Sequence, residues 1–369
     1  MKAAVLSQVG SPLAIEDIPT PKPRAGEVLV KIVACGVCHT DLHVIKGEVN
    51  FPLPAVLGHE ISGIVEEVAS DVMNVKLGDR VVGTFILPCG RCRYCARGQD
   101  GLCETFFALN RLKGVLYDGE TRLHRADGSP LAMYSMGGMA EHAVLPATAS
   151  FAVPSGVALE DSCILGCAIM TAYGAVKHQA GLAPAETVAV VGVGGVGSNI
   201  IQLARLAGAS MIIAVDVRDA KLSAAQELGA THVVNAEKGD PVAQVREITG
   251  DSGVNVAFEA LGRPETIGNA FNMAGDGGRV VVVGIGAGAA AVSIEITRLV
   301  RRGIRLIGSY GAKVRSDLPE LLRLVAAGRI DVSRPISRRY SLAELNEAYG
   351  ALSKGEITGR AIVVMEDAS

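Results

Sequence analysis

The sequence predicts a two-domain α/β protein in which a doubly wound parallel sheet is joined to a β-rich domain. Three observations lead there. Between 187 and 310, apolar strand patterns ("TVAVVG", "MIIAVD", "VAFEAL", "RVVVVG") alternate with helix-like stretches such as "SNIIQLARLAGA" and "AKLSAAQELGA", the rhythm of parallel βαβ units. The first 150 residues instead carry strand-like runs ("EVLVKIVA", "SGIVEEVA", "DRVVGTF") separated by Gly, Pro and Asp turn signals. At 369 residues the chain is also too long for one ordinary hydrophobic core.

In chain order, the β-rich domain is expected over 1–168 and the doubly wound domain over 169–309. The tail, 310–369, carries two helix candidates ("DLPELLRLVAAG", "SLAELNEAYGALSKG") and a last strand ("GRAIVVM"), and is expected to rejoin the first domain. The least periodic stretch, 104–137, reads as a long surface excursion.

Hydrophobic residues make up 49% of the chain and charged residues 20%, with 44 glycines and no tryptophan, a composition that fits a globular α/β protein and excludes disorder. A formal net charge of −3 offers no broad attraction to nucleic acid or anionic lipid, so a small-molecule partner is expected. The start, "MKAAVLSQVGSPLAIEDIP", lacks a secretory signal pattern, and no apolar run reaches the roughly 20 residues of a membrane span; a soluble, cytoplasmic protein is expected. In a reducing cytosol, eight cysteines read as metal ligands or core residues before disulfides.

The stretch "TVAVVGVGGVGSNI" is a buried-strand pattern followed by Gly192, Gly194 and Gly197 in G-x-G-x-x-G spacing, with Gly195 between, and then a helix. Gly192 permits the tight turn, Gly194 lets backbone approach a pyrophosphate, and Gly197 lets the helix pack on the strand with its N-terminus toward the anion. A second strand, "MIIAVD", ends in Asp216, 19 residues after Gly197, where an acid accepts hydrogen bonds from a ribose diol. Its charge repels a 2′-phosphate and favours NAD over NADP; Arg218, two residues on, weakens that preference.

In "PCGRCRYCARGQDGLC", Cys89, Cys92, Cys95 and Cys103 are spaced C-x2-C-x2-C-x7-C, within a lobe at about 88–104. Four thiolates close a tetrahedral zinc shell with no room for water, which makes a structural rather than a reactive site. An iron–sulfur cluster is the competing reading, but the ferredoxin pattern needs a different fourth spacing and a proline partner.

A second concentration of chemistry lies in "GVCHTDLHV", residues 36–44. Singly, Cys38 reads equally well as a core thiol and His59, in "LGHE", as a turn histidine. Joined by Cys167 in "LGCAIMTAYGA", they would form a Cys2His zinc site with an open fourth position, and an open position implies catalysis.

These motifs, in this order over nearly the whole chain, resemble the zinc-dependent medium-chain alcohol dehydrogenases. The resemblance implies a GroES-like catalytic domain beside a Rossmann NAD-binding domain, two zinc ions per subunit, and reversible conversion of a primary or secondary alcohol to aldehyde or ketone. By carry-over, Cys38, His59 and Cys167 resemble the catalytic zinc ligands, Glu60 the nearby carboxylate, and Asp41 the acid that orients the ligand histidine. Thr40 resembles the hydroxyl that takes the substrate proton and His43 the base that carries it on. His39 and Arg360 match cationic contacts to the pyrophosphate, Lys221 a contact to the adenosine ribose, and Phe85 a wall of the substrate channel, with Val49 and Ala108 as further candidates.

The resemblance also implies a homodimer, with a homotetramer as the alternative. Rivals are a polyol or sugar dehydrogenase, which often has Glu in place of Cys167, and a glutathione-dependent formaldehyde dehydrogenase, which usually carries arginine where Phe107 stands. A zinc-free quinone or enoyl reductase would lack Cys38, His59 and the lobe cysteines. A zinc-ribbon nucleic-acid-binding protein is the reading from another class; the acidic balance argues against it.

Overall fold

The computed structural model describes residues 1–366. An eleven-residue strand, Glu27–Val37, organises the first of two units and is buried along nearly its whole length. Three neighbours share it. Its N-terminal part pairs antiparallel with His142–Pro146, its middle with Ile61–Val68, and its C-terminal end with Arg360–Val364. Arg80–Gly83 and Ser150–Ala152 extend the sheet on one side and Ile336–Ser341 on the other, making seven strands. A five-stranded sheet runs in the order Ala14–Asp17, Lys2–Leu6, Ala55–Val56, Pro130–Met133, Leu123–His124. This unit comprises Met1–Met170 and the chain from Lys313 onward.

The tail contributes the helix Val314–Ala326, the helix Leu345–Ser353 introduced by a capping box on Ser341 and Glu344, and the strand Arg360–Val364. The stretch 104–137 is not the surface excursion its aperiodic sequence predicts. Leu116, Leu123, Leu131, Met133, Tyr134 and Met136 are all buried, and Pro130–Met133 pairs in parallel with Ala55–Val56. Strands of two to four residues are too short to display a period, which is why the sequence hides them.

The second unit, Thr171–Ala312, is built on six parallel strands in the order His232–Asn235, Met211–Asp216, Thr187–Val191, Val254–Glu259, Ala274–Val282, Arg305–Gly308. The order reverses at Thr187–Val191, so the crevice at that strand's C-terminal end is the topological switch point of a doubly wound sheet. Val191, Ile213, Val234, Phe271 and Val280 belong to its core. Beta-branched residues in these strands suit a sheet covered by helices.

The turn after Thr187–Val191 holds Gly192 at φ +92°, a conformation side chains rarely adopt. Gly197, in the first turn of the helix Gly195–Leu206, lies so close to the strand that a Cβ would stand 1.9 Å from the Gly192 carbonyl oxygen. A Cβ on Gly194 would meet nothing within 4 Å, which leaves open space above that backbone. Gly197→Ala is expected to cost about 1–3 kcal/mol by overpacking and to weaken dinucleotide binding together with thermal stability; calorimetry and cofactor titration measure the two.

Candidate active site

The candidate ligands meet because of sheet register. In the antiparallel pair of Glu27–Val37 and Ile61–Val68, Cys35 stands opposite Ile61. The residues just past one strand's end and just before the other's start therefore share one edge, and the Gly36 N–H donates to the Glu60 carbonyl at 2.8 Å. Cys38 follows in extended conformation (φ −118°, ψ 148°) and leads into the short helix His39–Ile45. Next in the sheet, Gly83 lies opposite Ile61, and two residues on the Phe85 N–H donates to the Gly166 carbonyl at 3.0 Å, which brings in the segment ending at Cys167.

One ligand atom from each of Cys38, His59, Glu60 and Cys167 lies within 4.8 Å of the others, and all four residues are buried. His59 Nδ1 bonds Asp41 Oδ1 at 3.0 Å, with Asp41 fully buried. That leaves Nε2 sealed from solvent with no hydrogen-bond partner, and Glu60 Oε2 is likewise without a donor, whereas Oε1 stands against the Arg360 guanidinium. Orphaned buried atoms of this kind are rare and costly. A divalent cation satisfies them together, and two sulfurs, one imidazole and one carboxylate oxygen are a zinc donor set.

The electrostatics agree. The Cys167 thiol hydrogen-bonds Cys38, which holds the Cys38 pKa well below the ordinary thiol value and drives that of Cys167 well above it. Burial pushes Glu60 up to about 7, against the pull of Arg360. Burial disfavours a charged His59 ring, but Asp41 and Cys38 outweigh it and raise its pKa. A bound cation reverses this logic by favouring both thiolates and the neutral imidazole.

Arg360, expected as a pyrophosphate contact, is buried with Nη2 2.8 Å from Glu60 Oε1 and Nη1 donating to the Val37 carbonyl at 3.3 Å. Thr40 Oγ1 lies 3.5 Å from Cys38 Sγ. His43, on the same helix, pairs through Nδ1 with Glu48, whose carboxyl that hydrogen bond holds below its usual range. His39 is exposed. Phe85 is half-buried with its ring 6.2 Å from that of His59. Val49 donates its N–H to the His43 carbonyl, and Ala108 is exposed on the turn Phe106–Arg111. Tyr134 was not singled out by sequence: its ring stands 5.9 Å from His59, and Arg111 lies over it at 4.5 Å. No motif flags it, because it reaches the site through the short strands of 104–137.

Cys89, Cys92, Cys95 and Cys103 form a second cluster. The Cys92 and Cys103 sulfurs are 4.0 Å apart, too far for a disulfide, and near the ~3.8 Å edge of a tetrahedron built on zinc–sulfur bonds of about 2.3 Å. Backbone N–H groups of Cys89, Cys92, Cys95 and Phe106 point at sulfurs at 3.3 to 3.5 Å, as thiolates require. Asp100 fastens the lobe to the helix Val314–Ala326, accepting from Arg315 N and Nε at 3.0 Å, while Arg315 Nη2 donates to the Cys95 carbonyl.

In the second unit, Asp216 accepts from Val193 N through Oδ2 at 2.8 Å, and from Val217 N and Arg218 N through Oδ1. It therefore ties the glycine turn to the neighbouring strand, with one lone pair of about four left to accept from a ligand. Arg218 is exposed and Lys221 half-buried at the start of the helix Asp219–Leu228.

Two family models match the chain: "Alcohol dehydrogenase GroES-like domain" over residues 24–155 and "Zinc-binding dehydrogenase" over 195–327. The chain is 37% identical over 363 residues to an NDMA-dependent alcohol dehydrogenase of Amycolatopsis methanolica, covering 96% of each. It is 36% identical over 361 residues to an S-(hydroxymethyl)glutathione dehydrogenase of Synechocystis, covering 96% of this chain and 97% of that one. The solved structure of benzyl alcohol dehydrogenase from Acinetobacter calcoaceticus superposes with a TM-score of 0.92 at 34% identity, covering 99% of both chains. The protein belongs to the zinc-dependent medium-chain alcohol dehydrogenase family, whose GroES-like and Rossmann domains work with zinc and a nicotinamide cofactor. It is an oxidoreductase acting on a small molecule, and among the described residues no helix is long and apolar enough to cross a membrane.

Cys103→Ala should release about one zinc per chain and lower unfolding stability by roughly 2 kcal/mol or more, since losing a metal site is among the most damaging changes; elemental analysis and thermal melting record both.

Proposed function

We propose that the protein is an NAD-dependent alcohol dehydrogenase that interconverts a primary or secondary alcohol and its aldehyde or ketone. Cys38, His59 and Cys167 hold a catalytic zinc, with Glu60 as an alternative oxygen donor, and the four lobe cysteines hold a structural zinc. The unit Met1–Met170 with the tail is then the catalytic domain and Thr171–Ala312 the nucleotide domain. The observation that carries this reading is His59: one ring nitrogen is fixed by Asp41, and the other is buried, unpartnered and grouped with two sulfurs. Support for NAD over NADP is the carboxylate of Asp216 at the end of Met211–Asp216, beside Gly192, Gly194, Gly195 and Gly197. Roles for Lys221, His39, Arg218 and Arg360 toward the dinucleotide, like a homodimeric assembly and a cytoplasmic location, rest on the family resemblance.

When bound, zinc supplies Lewis acidity toward an alcohol oxygen, and the nicotinamide accepts the hydride. The chain's own groups handle the proton. Thr40 Oγ1, beside Cys38, would accept the proton that leaves the substrate hydroxyl as it gives up its own toward His43, the final base, which lies three residues further along the same short helix with its ring held by Glu48. Asp41 fixes the His59 tautomer so that Nε2 offers its lone pair. Phe85 and Tyr134 shed water from the His59 side and offer an aromatic wall to the substrate.

Oxidation of S-(hydroxymethyl)glutathione is a second reading, favoured by the Synechocystis relative and opposed by Phe107. Initial rates with NAD and NADP over aliphatic, aromatic and glutathione-derived alcohols decide between them. Cys167→Ala should abolish alcohol oxidation, by 10³-fold or about that, and remove one zinc; full turnover with unchanged zinc would disprove the ligand set. His43→Gln should slow oxidation chiefly at low pH, where solvent hydroxide is scarcest and a base matters most, and an unaltered pH profile would dismiss its role as proton carrier.

A further inference from the structure

Behind the His59 imidazole, two buried polar atoms lack hydrogen-bond partners. Asp41 carries one of them. Its Oδ1 accepts from His59 Nδ1 at 3.0 Å and from the Gly58 N–H at 3.1 Å, whereas Oδ2 has no aligned donor. The other is the hydroxyl oxygen of Tyr349, 4% exposed, on the helix Leu345–Ser353. That helix packs against His39–Ile45, which carries Asp41, and against Glu27–Val37.

The packing of the two helices buries the Tyr349 hydroxyl close enough to Asp41 for the carboxylate to act on it: burial first, then the charges of Asp41, Cys35 and Cys38, raise the Tyr349 pKa well above the ordinary phenol value. A protonated phenol is a donor and Oδ2 an acceptor, so each is the other's missing partner. Leaving a buried polar group unmade costs about 1–3 kcal/mol, and a phenol–carboxylate bond is of the stronger, charge-assisted kind.

We propose that Tyr349 is a positioning residue for the active-site metal: its hydroxyl donates to Asp41 Oδ2, completing a Tyr349–Asp41–His59 chain that turns His59 Nε2 toward the sulfurs of Cys38 and Cys167. The assignment rests on the zinc reading above. With Gly58 and His59 on one oxygen and Tyr349 on the other, the carboxylate is held at both ends and cannot swing away from the imidazole. Phenylalanine would fill the same space and leave Oδ2 unsatisfied, so it is the hydroxyl that matters at this position. Groups of this outer kind typically set metal affinity within a factor of 10–100.

The test is zinc release from the full-length, zinc-loaded enzyme to a chromogenic chelator, with elemental analysis before and after. Tyr349→Phe should speed release from the Cys38 site by about tenfold and leave release from the four-cysteine lobe unchanged. On an Asp41→Asn background it should add nothing further, because its effect passes through that carboxylate. Equal release rates in wild type and Tyr349→Phe, or effects that simply add in the double variant, would overturn the assignment. A wild-type chain that holds zinc only in the lobe would overturn the catalytic-metal reading and this assignment with it, so the two failures are told apart. Should Tyr349→Phe fail to fold, wild-type protein labelled at tyrosine 13Cζ gives a second readout in mixed H2O and D2O. A hydroxyl held by Asp41 exchanges slowly and yields a resolved isotope-shifted pair at Tyr349, and a single averaged line there would overturn the proposal.

Discussion

The pairing of Glu27–Val37 with Ile61–Val68 decides where the chemistry of the first unit can lie. With Cys35 set opposite Ile61, the chain leaves one strand at Cys38 and enters the other from His59 and Glu60. A slip of one residue would send alternate side chains to the opposite face and separate the sulfur from the imidazole. The neighbouring strands extend the same edge: Arg80–Gly83 leads to Phe85 and the Gly166 carbonyl, and Arg360–Val364 brings Arg360 beside Val37. Ligands from three distant parts of the chain thus depend on one ladder of backbone hydrogen bonds.

Such a cluster is costly to assemble. Two thiols, an imidazole and a carboxylate taken out of water favour neutral forms, as the raised Glu60 shows, while the hydrogen bond between the two thiols drives Cys38 and Cys167 in opposite directions. Arg360 offsets part of that cost by standing against Glu60, and Asp41 does so for His59. The surrounding protein supplies compensating charge on either side of the ligands but leaves their inner faces unmatched. A polar interior of this kind is maintained for binding rather than for stability.

How much of this could be read from the residues alone follows from the range of the interactions. The glycine turn and the doubly wound sheet were legible because they are local: "TVAVVG", the spaced glycines and "MIIAVD" carry period and spacing within thirty residues. The lobe cysteines were legible for the same reason. Cys38, His59 and Cys167 became convincing only in company, through their likeness to a family. The burial of 104–137, the position of Tyr134 and the ion pair of Arg360 with Glu60 were not legible. They arise from contacts between segments far apart in the chain and from strands too short to show alternation. Arg360 read as a pyrophosphate contact, and nothing near it in sequence marks the carboxylate it meets.

The bond from Arg360 to the Val37 carbonyl joins residues 323 positions apart. During translation, the second unit, a continuous stretch, is entirely made before the strand that seats this arginine leaves the ribosome. The nascent polypeptide therefore holds Glu60 without this counter-charge until the whole second unit has been synthesised, and the pocket reaches its mature electrostatic state only after that.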